Sequence, residues 1–284
     1  MKIRIITALV LIASVLVWLF VAPYDFFVMG ALFIYMAGAW EMGPLLGYKS
    51  RIPFLVLCTA AATGLFMMAP PGEYPAYGVP DTVYYVAEVG MPLWLVTLPL
   101  LVYFPRGSAW LKNLLLTTVY GLLLLLPFLA GLLILRSTDY VADEQAGSLL
   151  ILAVMMLVWA ADSGALFAGM ALGKTPMIPR VSPHKTMEGL AGGILLALLA
   201  MLLLVRLGWF GKWGQQLTVL LPAAFFAIVF SVAGDLAESM LKRHAGVKDS
   251  GKIFPGHGGV LDRIDSQLAA VPIFVCVCRW LGGA

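Results

Sequence analysis

Apolar residues in this chain recur in uninterrupted runs of about twenty, the length an α-helix needs to cross a hydrocarbon layer of roughly 30 Å. Inside lipid each backbone N–H and C=O must find its partner within the segment, so such runs fold as helices. Runs bounded by charge or by Pro and Gly clusters lie near residues 3–22, 26–42, 53–70, 85–104, 113–135, 146–172, 190–207, 216–234 and 267–281. The expected fold class is an all-α polytopic membrane protein of about nine spans, a count good to within one because the second and last are short. Of the 284 residues, 62% are hydrophobic and only 12% charged, with a mean hydropathy of +0.96. That balance excludes a water-soluble domain, a collagen, a coiled coil, a disordered tail and a disulfide scaffold. The first span follows Lys2 and Arg4 as a secretory leader would, yet its apolar core continues to Ala22 without a convincing cleavage site, so it reads as a helix. Cys58, Cys276 and Cys278 lie inside apolar runs and read as small buried hydrophobes.

With the amino terminus in the cytoplasm, alternate loops carry Lys2 and Arg4; Lys49 and Arg51; Arg106 and Lys112; Lys174, Arg180 and Lys185; and Lys242, Arg243, Lys248, Lys252 and Arg263. Of the 18 basic residues only Arg136, Arg206, Lys212 and Arg279 fall on the opposite side. The positive-inside bias therefore predicts cytoplasmic charged loops and an external carboxyl terminus. The acids of segments 71–90 (Glu73, Asp81, Glu88) and 136–145 (Asp139, Asp143, Glu144) read as solvated external charges. A net charge of +3 scattered over short loops predicts no nucleic-acid partner. Neither an inverted repeat nor a fixed period is visible, which weighs against a secondary transporter. The chain is lopsided: residues 1–145 form about five nearly featureless apolar spans, whereas residues 146–284 form about four and carry the polar residues that need explaining.

Those residues concentrate in segment 235–266. Five acids (Asp235, Glu238, Asp249, Asp262, Asp265) and five bases (Lys242, Arg243, Lys248, Lys252, Arg263) occupy this stretch. If the eighth span continues as a helix past Gly234, then Asp235, Glu238, Ser239 and Lys242 share one face. Asp262 and Asp265 are also three apart, just before the ninth span, so two acidic faces can meet at the membrane surface. Between them, Phe254-Pro-Gly-His-Gly-Gly is a tight turn whose bare N–H groups could line an anion site, flanked by carboxylates suited to a hard cation such as Mg²⁺. Acids, bases and a glycine nest together point to phosphoryl chemistry.

Two polar islands lie outside this segment. Asp162 sits about ten residues from the cytoplasmic end of its span, roughly 15 Å deep at helical rise. A carboxylate at that depth is costly and marks a functional candidate, the alternative being a helix–helix hydrogen bond. Ser182-Pro-His-Lys-Thr-Met-Glu-Gly supplies Lys185 as a cation for a phosphate, although it also has the form of an ordinary helix start. Gly169-Met-Ala-Leu-Gly-Lys-Thr imitates a phosphate loop, but it has three residues between its glycines where four are needed and follows an apolar helix instead of a strand. His184, His244 and His257 are not spaced as metal ligands, and only His257 lies in the glycine turn.

The run from Ser239 to Asp265 resembles the signature of the phosphatidate cytidylyltransferases, the CDP-diacylglycerol synthases. It carries Ser239, Lys242, Arg243, Lys248, Asp249, Gly251, Phe254, Pro255, His257, Gly258, Gly259, Asp262, Arg263 and Asp265 in the family's order over 27 contiguous residues, without a departure. The Ser182 to Gly189 segment resembles a second element of that family, Ser-Pro-x-Lys-Thr-x-Glu-Gly, and the length and multi-span build resemble its bacterial members. The CDP-alcohol phosphotransferase motif, Asp-Gly-x2-Ala-Arg, is not found.

The resemblance implies CTP and phosphatidic acid as substrates, CDP-diacylglycerol and pyrophosphate as products, and a bacterial inner-membrane location. It implies Mg²⁺ on Asp235 and Asp262, with Asp249 and Asp265 nearby. Room is left for a second, monovalent cation such as K⁺. Lys242, Arg243, Lys248 and Arg263 would clamp the triphosphate and the lipid phosphate. Asp162, Ser182 and Lys185 would complete the nucleotide side, with Ser239, His257, Gly258 and Gly259 lining the site. A cytidylyltransferase for another lipid or polyprenyl phosphate, and a homodimer, are both compatible with these motifs.

Overall fold

In the computed structural model, which describes the backbone of residues 2–282 and the side chains of residues 6–282, helix dominates throughout. The first half runs α1 (Lys2–Phe20), α2 (Tyr24–Leu45), α3 (Ile52–Met68), the single turn α4 (Tyr74–Tyr77), α5 (Asp81–Glu88), α6 (Gly90–Tyr103) and α7 (Leu114–Ser137). The second half runs α8 (Ala146–Leu172), a hairpin of β1 (Pro176–Ile178) and β2 (Ser182–Thr186), α9 (Met187–Arg206), α10 (Leu217–His244), the short α11 (Leu261–Ile264) and α12 (Gln267–Gly282). Eight segments among the described residues are long and apolar enough to cross a membrane, and α1 adds the shorter apolar stretch Ile6–Phe20. This agrees with an all-α polytopic protein of about nine spans. The antiparallel β1–β2 hairpin, with Pro176 opposite Thr186 and Ile178 opposite Ser182, was not anticipated by the hydropathy pattern.

Two of the boundaries that differ from the apolar runs bear on the site. α10 continues to His244 instead of ending at residue 234, and the last span begins at Leu261 instead of 267. Hydropathy stops at Gly234, yet Leu236, Ala237, Met240 and Leu241 remain buried at helical spacing, so one face of α10 stays packed after the other has turned polar. Asp235, Glu238 and Asp262 therefore stand on helices, and Asp265 stands in the turn that joins α11 to α12.

The interior is built around α7 and α12. From Leu124 to Ser137 nearly every α7 residue is buried, and α12 is buried from Gln267 to Cys278, which includes Cys276 and Cys278. A helix apolar on all sides belongs in such a position. By contrast α3 and α9 expose Val56, Met67, Leu195, Leu199 and Leu203, as helices bordering lipid do. Small residues set the helix crossings. A Cβ on Gly193 of α9 would lie 2.6 Å from the Ala161 carbonyl oxygen of α8, and one on Gly164 would lie 2.6 Å from the Gly192 oxygen. Such small-residue faces let backbones approach where lipid offers no hydrophobic drive to association.

Charged groups opposite the site are tied down. Arg279 on α12 bonds Asp81 at 2.8 Å, lies 3.7 Å from Glu88 and stacks 4.3 Å from the Tyr84 ring centroid. Lys212 pairs with Asp139 at 3.3 Å. The buried Arg136 donates to the Glu144 carbonyl and lies over Tyr24, Phe27 and Tyr140. Asp81 and Glu88 thus anchor the end of α12, where the sequence suggested solvated charges. The side chains of Lys2 and Arg4, which also entered the charge bias, lie outside the described residues.

Gly193→Ala is expected to lower the thermal midpoint in detergent, by the ~1–3 kcal/mol typical of an overpacked contact against rigid backbone. Gly64→Ala, on α3 with nothing within 4 Å of the added carbon, should hold or raise it by about 0.5–1 kcal/mol. Thermal unfolding of both purified variants checks the pair, and equal midpoints would contradict the close α8–α9 approach.

Candidate active site

The α10 face predicted from the sequence forms and meets a second acidic face at a glycine. Any Cβ at Gly234 would collide with the Asp265 carbonyl and approach Ser266 Cα to 3.2 Å. Only at a residue without a side chain can the α11–α12 junction lie this close to α10. The contact carries Asp262 and Asp265 alongside Asp235 and Glu238, so that Glu238 feels the charges of Asp265 and Asp262, and Asp265 that of Asp235.

Lys242 holds this cluster together. Its ammonium donates to Glu238 Oε2 at 2.5 Å and to Asp262 Oδ1 at 2.7 Å, with side-chain exposures of 13%, 2% and 7% for Lys242, Glu238 and Asp262. Asp262 Oδ2 faces backbone: the N–H of Ser250 donates at 3.0 Å, the N–H of Gly259 at 2.8 Å and the Ser250 hydroxyl at 2.8 Å. Asp235 pairs with Lys185 of β2 and accepts from the Ser239 hydroxyl at 3.3 Å. Asp162 on α8 is exposed and feels Lys185 and Asp235, and among the described residues its side chain makes no hydrogen bond. The helix–helix bond that was its alternative explanation is not formed.

The second motif divides its labour. Thr186 caps α9 by accepting from the Gly189 N–H at 3.1 Å, and Glu188 accepts at 3.1 Å from the N–H groups of both Lys174 and Thr175. A Cβ on Gly189 would lie 2.9 Å from the Ala165 oxygen. Thr186, Glu188 and Gly189 thereby fasten the hairpin to α8, leaving Lys185 to face the site. The donors of the phosphate-loop imitation are spent on Glu188. Arg243 reaches back to the Val181 carbonyl at 3.4 Å, next to the half-buried Ser182.

The glycine turn differs from the open cradle that its sequence suggested. Phe254 and Gly258 pair as an isolated bridge, with Gly256 at φ 78° and Gly258 at φ 81° supplying the left-handed turns. The Gly259 N–H is taken by Asp262 and the Leu261 N–H, at 2.8 Å, by Glu41 of α2. The glycines make room for the protein's own carboxylates. His257 closes the turn through its N–H to the Phe254 oxygen, and its Nδ1 is buried without a partner. Lys248, Asp249 and Arg263 are exposed at the rim and make no side-chain hydrogen bond or ion pair among the described residues.

Two acids central to this geometry were not assigned to the site from sequence. Glu238 was visible in the polar stripe. Glu41, 1% exposed, stands near the end of an apolar run and was not singled out there. An ionisable residue within a membrane helix is the signal that applies to it.

Lys242→Met should lower the thermal midpoint sharply, on the scale of ~3–5 kcal/mol, because it leaves buried carboxylates without their cation. Adding Glu238→Gln should recover part of the loss by removing one uncompensated charge, and unfolding in detergent of the single and double variants measures it.

A model of the cytidylyltransferase family matches residues 2–281. The chain is 40% identical to a phosphatidate cytidylyltransferase of Pseudomonas aeruginosa over 288 residues, covering 100% of this chain and 98% of that protein. It is 37% identical to one of Haemophilus influenzae over 279 residues, covering 96% and 97%. A Bacillus subtilis phosphatidate cytidylyltransferase is 46% identical over 133 residues, 45% of this chain and 47% of that protein. With the family's model matched over residues 2–281 and the Pseudomonas and Haemophilus relatives alike over nearly their full lengths, the chain belongs to the cytidylyltransferase family.

Proposed function

We propose that the chain transfers CMP from CTP to phosphatidic acid, giving CDP-diacylglycerol and pyrophosphate. A phosphate oxygen of the lipid forms the new bond to the α-phosphorus of CTP, and the bond from that phosphorus to the bridging oxygen of the leaving pyrophosphate breaks. The nucleophile is already anionic at neutral pH, so the residues need to align the two anions and offset their charge more than to remove a proton. The observation that carries the reading is the alternation of cations and carboxylates where α10, α11 and β2 converge: Lys185 on Asp235, and Lys242 between Glu238 and Asp262.

Lys248, Arg243 and Arg263 at the rim suit the phosphates, as guanidinium and ammonium groups do in charge-assisted bonds. Lys185 and Asp162 flank Asp235 and suit the nucleotide side, with Ser182 beside them on β2. Mg²⁺ is usually held by one or two carboxylates together with substrate phosphates. That habit fits a region where, among the described residues, no three His, Cys, Asp or Glu form a ligand set. Asp235 and Asp262 are the hard oxygen donors that would hold it, and it would offset the triphosphate charge. Glu41 of α2 and the charged side chains of α10 and α11 gather at one end, together with the hairpin and the glycine turn. We take that end as cytoplasmic, where CTP is available, with the lipid arriving sideways from the bilayer. A path for an ion or solute would instead distribute such groups along several spans.

Purified protein in detergent should release pyrophosphate only when phosphatidic acid, CTP and Mg²⁺ are all present. Asp235→Asn and Asp262→Asn should abolish turnover while the protein keeps its elution volume and a cooperative thermal transition. Turnover retained by these variants at high Mg²⁺ would refute their role as metal ligands. Silence of the folded wild type would point to another lipid phosphate as acceptor.

A further inference from the structure

The signature loop is held from outside the signature. Glu41, on the far half of the chain, reaches both limbs of the 250–261 loop with one oxygen: Oε2 accepts from the Leu261 N–H at 2.8 Å and lies 3.3 Å from the Ser250 hydroxyl. The carboxylate fills the gap between the limbs so closely that a Cβ on Gly251 or on Gly259 would collide with it. These are the groups that hold Asp262. Ser250 gives Asp262 an N–H and a hydroxyl, and Gly259 gives it an N–H. The single Ser250 hydroxyl proton lies within reach of both acids, which makes the serine a hinge between Glu41 and Asp262. Glu41 Oε1 is buried without a partner, a cost that a residue serving only to pack α2 would shed by substitution with an apolar side chain.

We propose that Glu41 is a positioning residue: it locks the two limbs of the loop together and thereby fixes the Asp262 carboxylate in its working place. The assignment rests on the reading of Asp262 as part of the reacting site. It also accounts for Gly251 and Gly259 by the room Glu41 needs between the limbs.

The test compares Glu41→Ala, Glu41→Gln and Ser250→Ala, purified in detergent and assayed for pyrophosphate release with CTP and phosphatidic acid. Glu41→Ala should lower kcat about 100-fold, the scale of a ~1 Å misplacement of a reacting group. KM for both substrates should change little, because Lys185, Lys248 and Arg243 are not touched by Glu41. Glu41→Gln keeps an oxygen acceptor at the same reach and should recover about tenfold or more over Glu41→Ala. Combining Glu41→Gln with Ser250→Ala should cost less than the product of the two single effects, since both act through one loop.

Wild-type kcat in Glu41→Ala, a rise in KM with kcat unchanged, or a glutamine variant no better than alanine would each overturn the proposal. If Glu41→Ala fails to fold, the Glu41→Gln and Ser250→Ala pair decides: sub-additive losses in kcat support the lock, and independent ones overturn it. An impaired Glu41→Ala beside a fully active Asp262→Asn would break the link to Asp262 and leave the reaction standing. A folded wild type that cannot use these substrates would overturn the reaction itself, and this proposal with it.

Discussion

The polar end of this protein depends on one ammonium group shared by two carboxylates on different helices. Charges at the ends of apolar helices lie where water is scarce, and an ion left there without a partner is costly. Lys242 meets that constraint for Glu238 on its own helix and for Asp262 across the interface. Its position joins the helix that carries the polar stripe to the helix that ends the signature. Lys185 does the same for Asp235 from the hairpin side. The result is an array of opposite charges in which Asp235, Glu238 and Asp262 each have a cation, held by elements that are otherwise nearly all hydrocarbon.

Glycine is what lets these elements approach. Between α8 and α9, Gly164, Gly192 and Gly193 bring backbones into contact, which places the hairpin and Lys185. At Gly234 the backbone of the α11–α12 junction lies against α10 and aligns the two acidic faces. In the 250–261 loop, Gly251, Gly258 and Gly259 clear space for the carboxylates of Glu41 and Asp262. The same residue type thus serves helix crossing in the apolar half-thickness and carboxylate access at the membrane edge, in both cases through the missing Cβ.

Much of the site was legible because its residues are close in sequence. Asp235, Ser239 and Lys242 share a face by helical period alone, and Asp262 and Asp265 follow within one signature. Asp162 could be singled out by the cost of a carboxylate in a span, and Lys185 by its place in a recognisable element. Other roles were hidden because they depend on contacts between distant segments. Glu188 looks like a motif residue and clamps a turn fourteen positions away. The glycine turn looks like an anion cradle and instead receives two internal carboxylates. Glu41 lies more than two hundred positions from its partners. The division into a featureless first half and a chemical second half was a property of composition, and α2 crosses it.

By itself the sequence determined the class of the protein: the apolar run lengths demand membrane helices, since no other structure satisfies a backbone in lipid over that distance. It also determined that Asp235, Ser239 and Lys242 share a face, because fixed spacings on one helix need no tertiary information. Tertiary structure alone decided which acid meets which cation, which glycines admit carboxylates, and that an acid from the second helix braces a loop near the carboxyl terminus. The physical reason is that helical period orders side chains only within about two turns, whereas pairing between helices depends on where backbones can approach, and packing sets that across the whole chain.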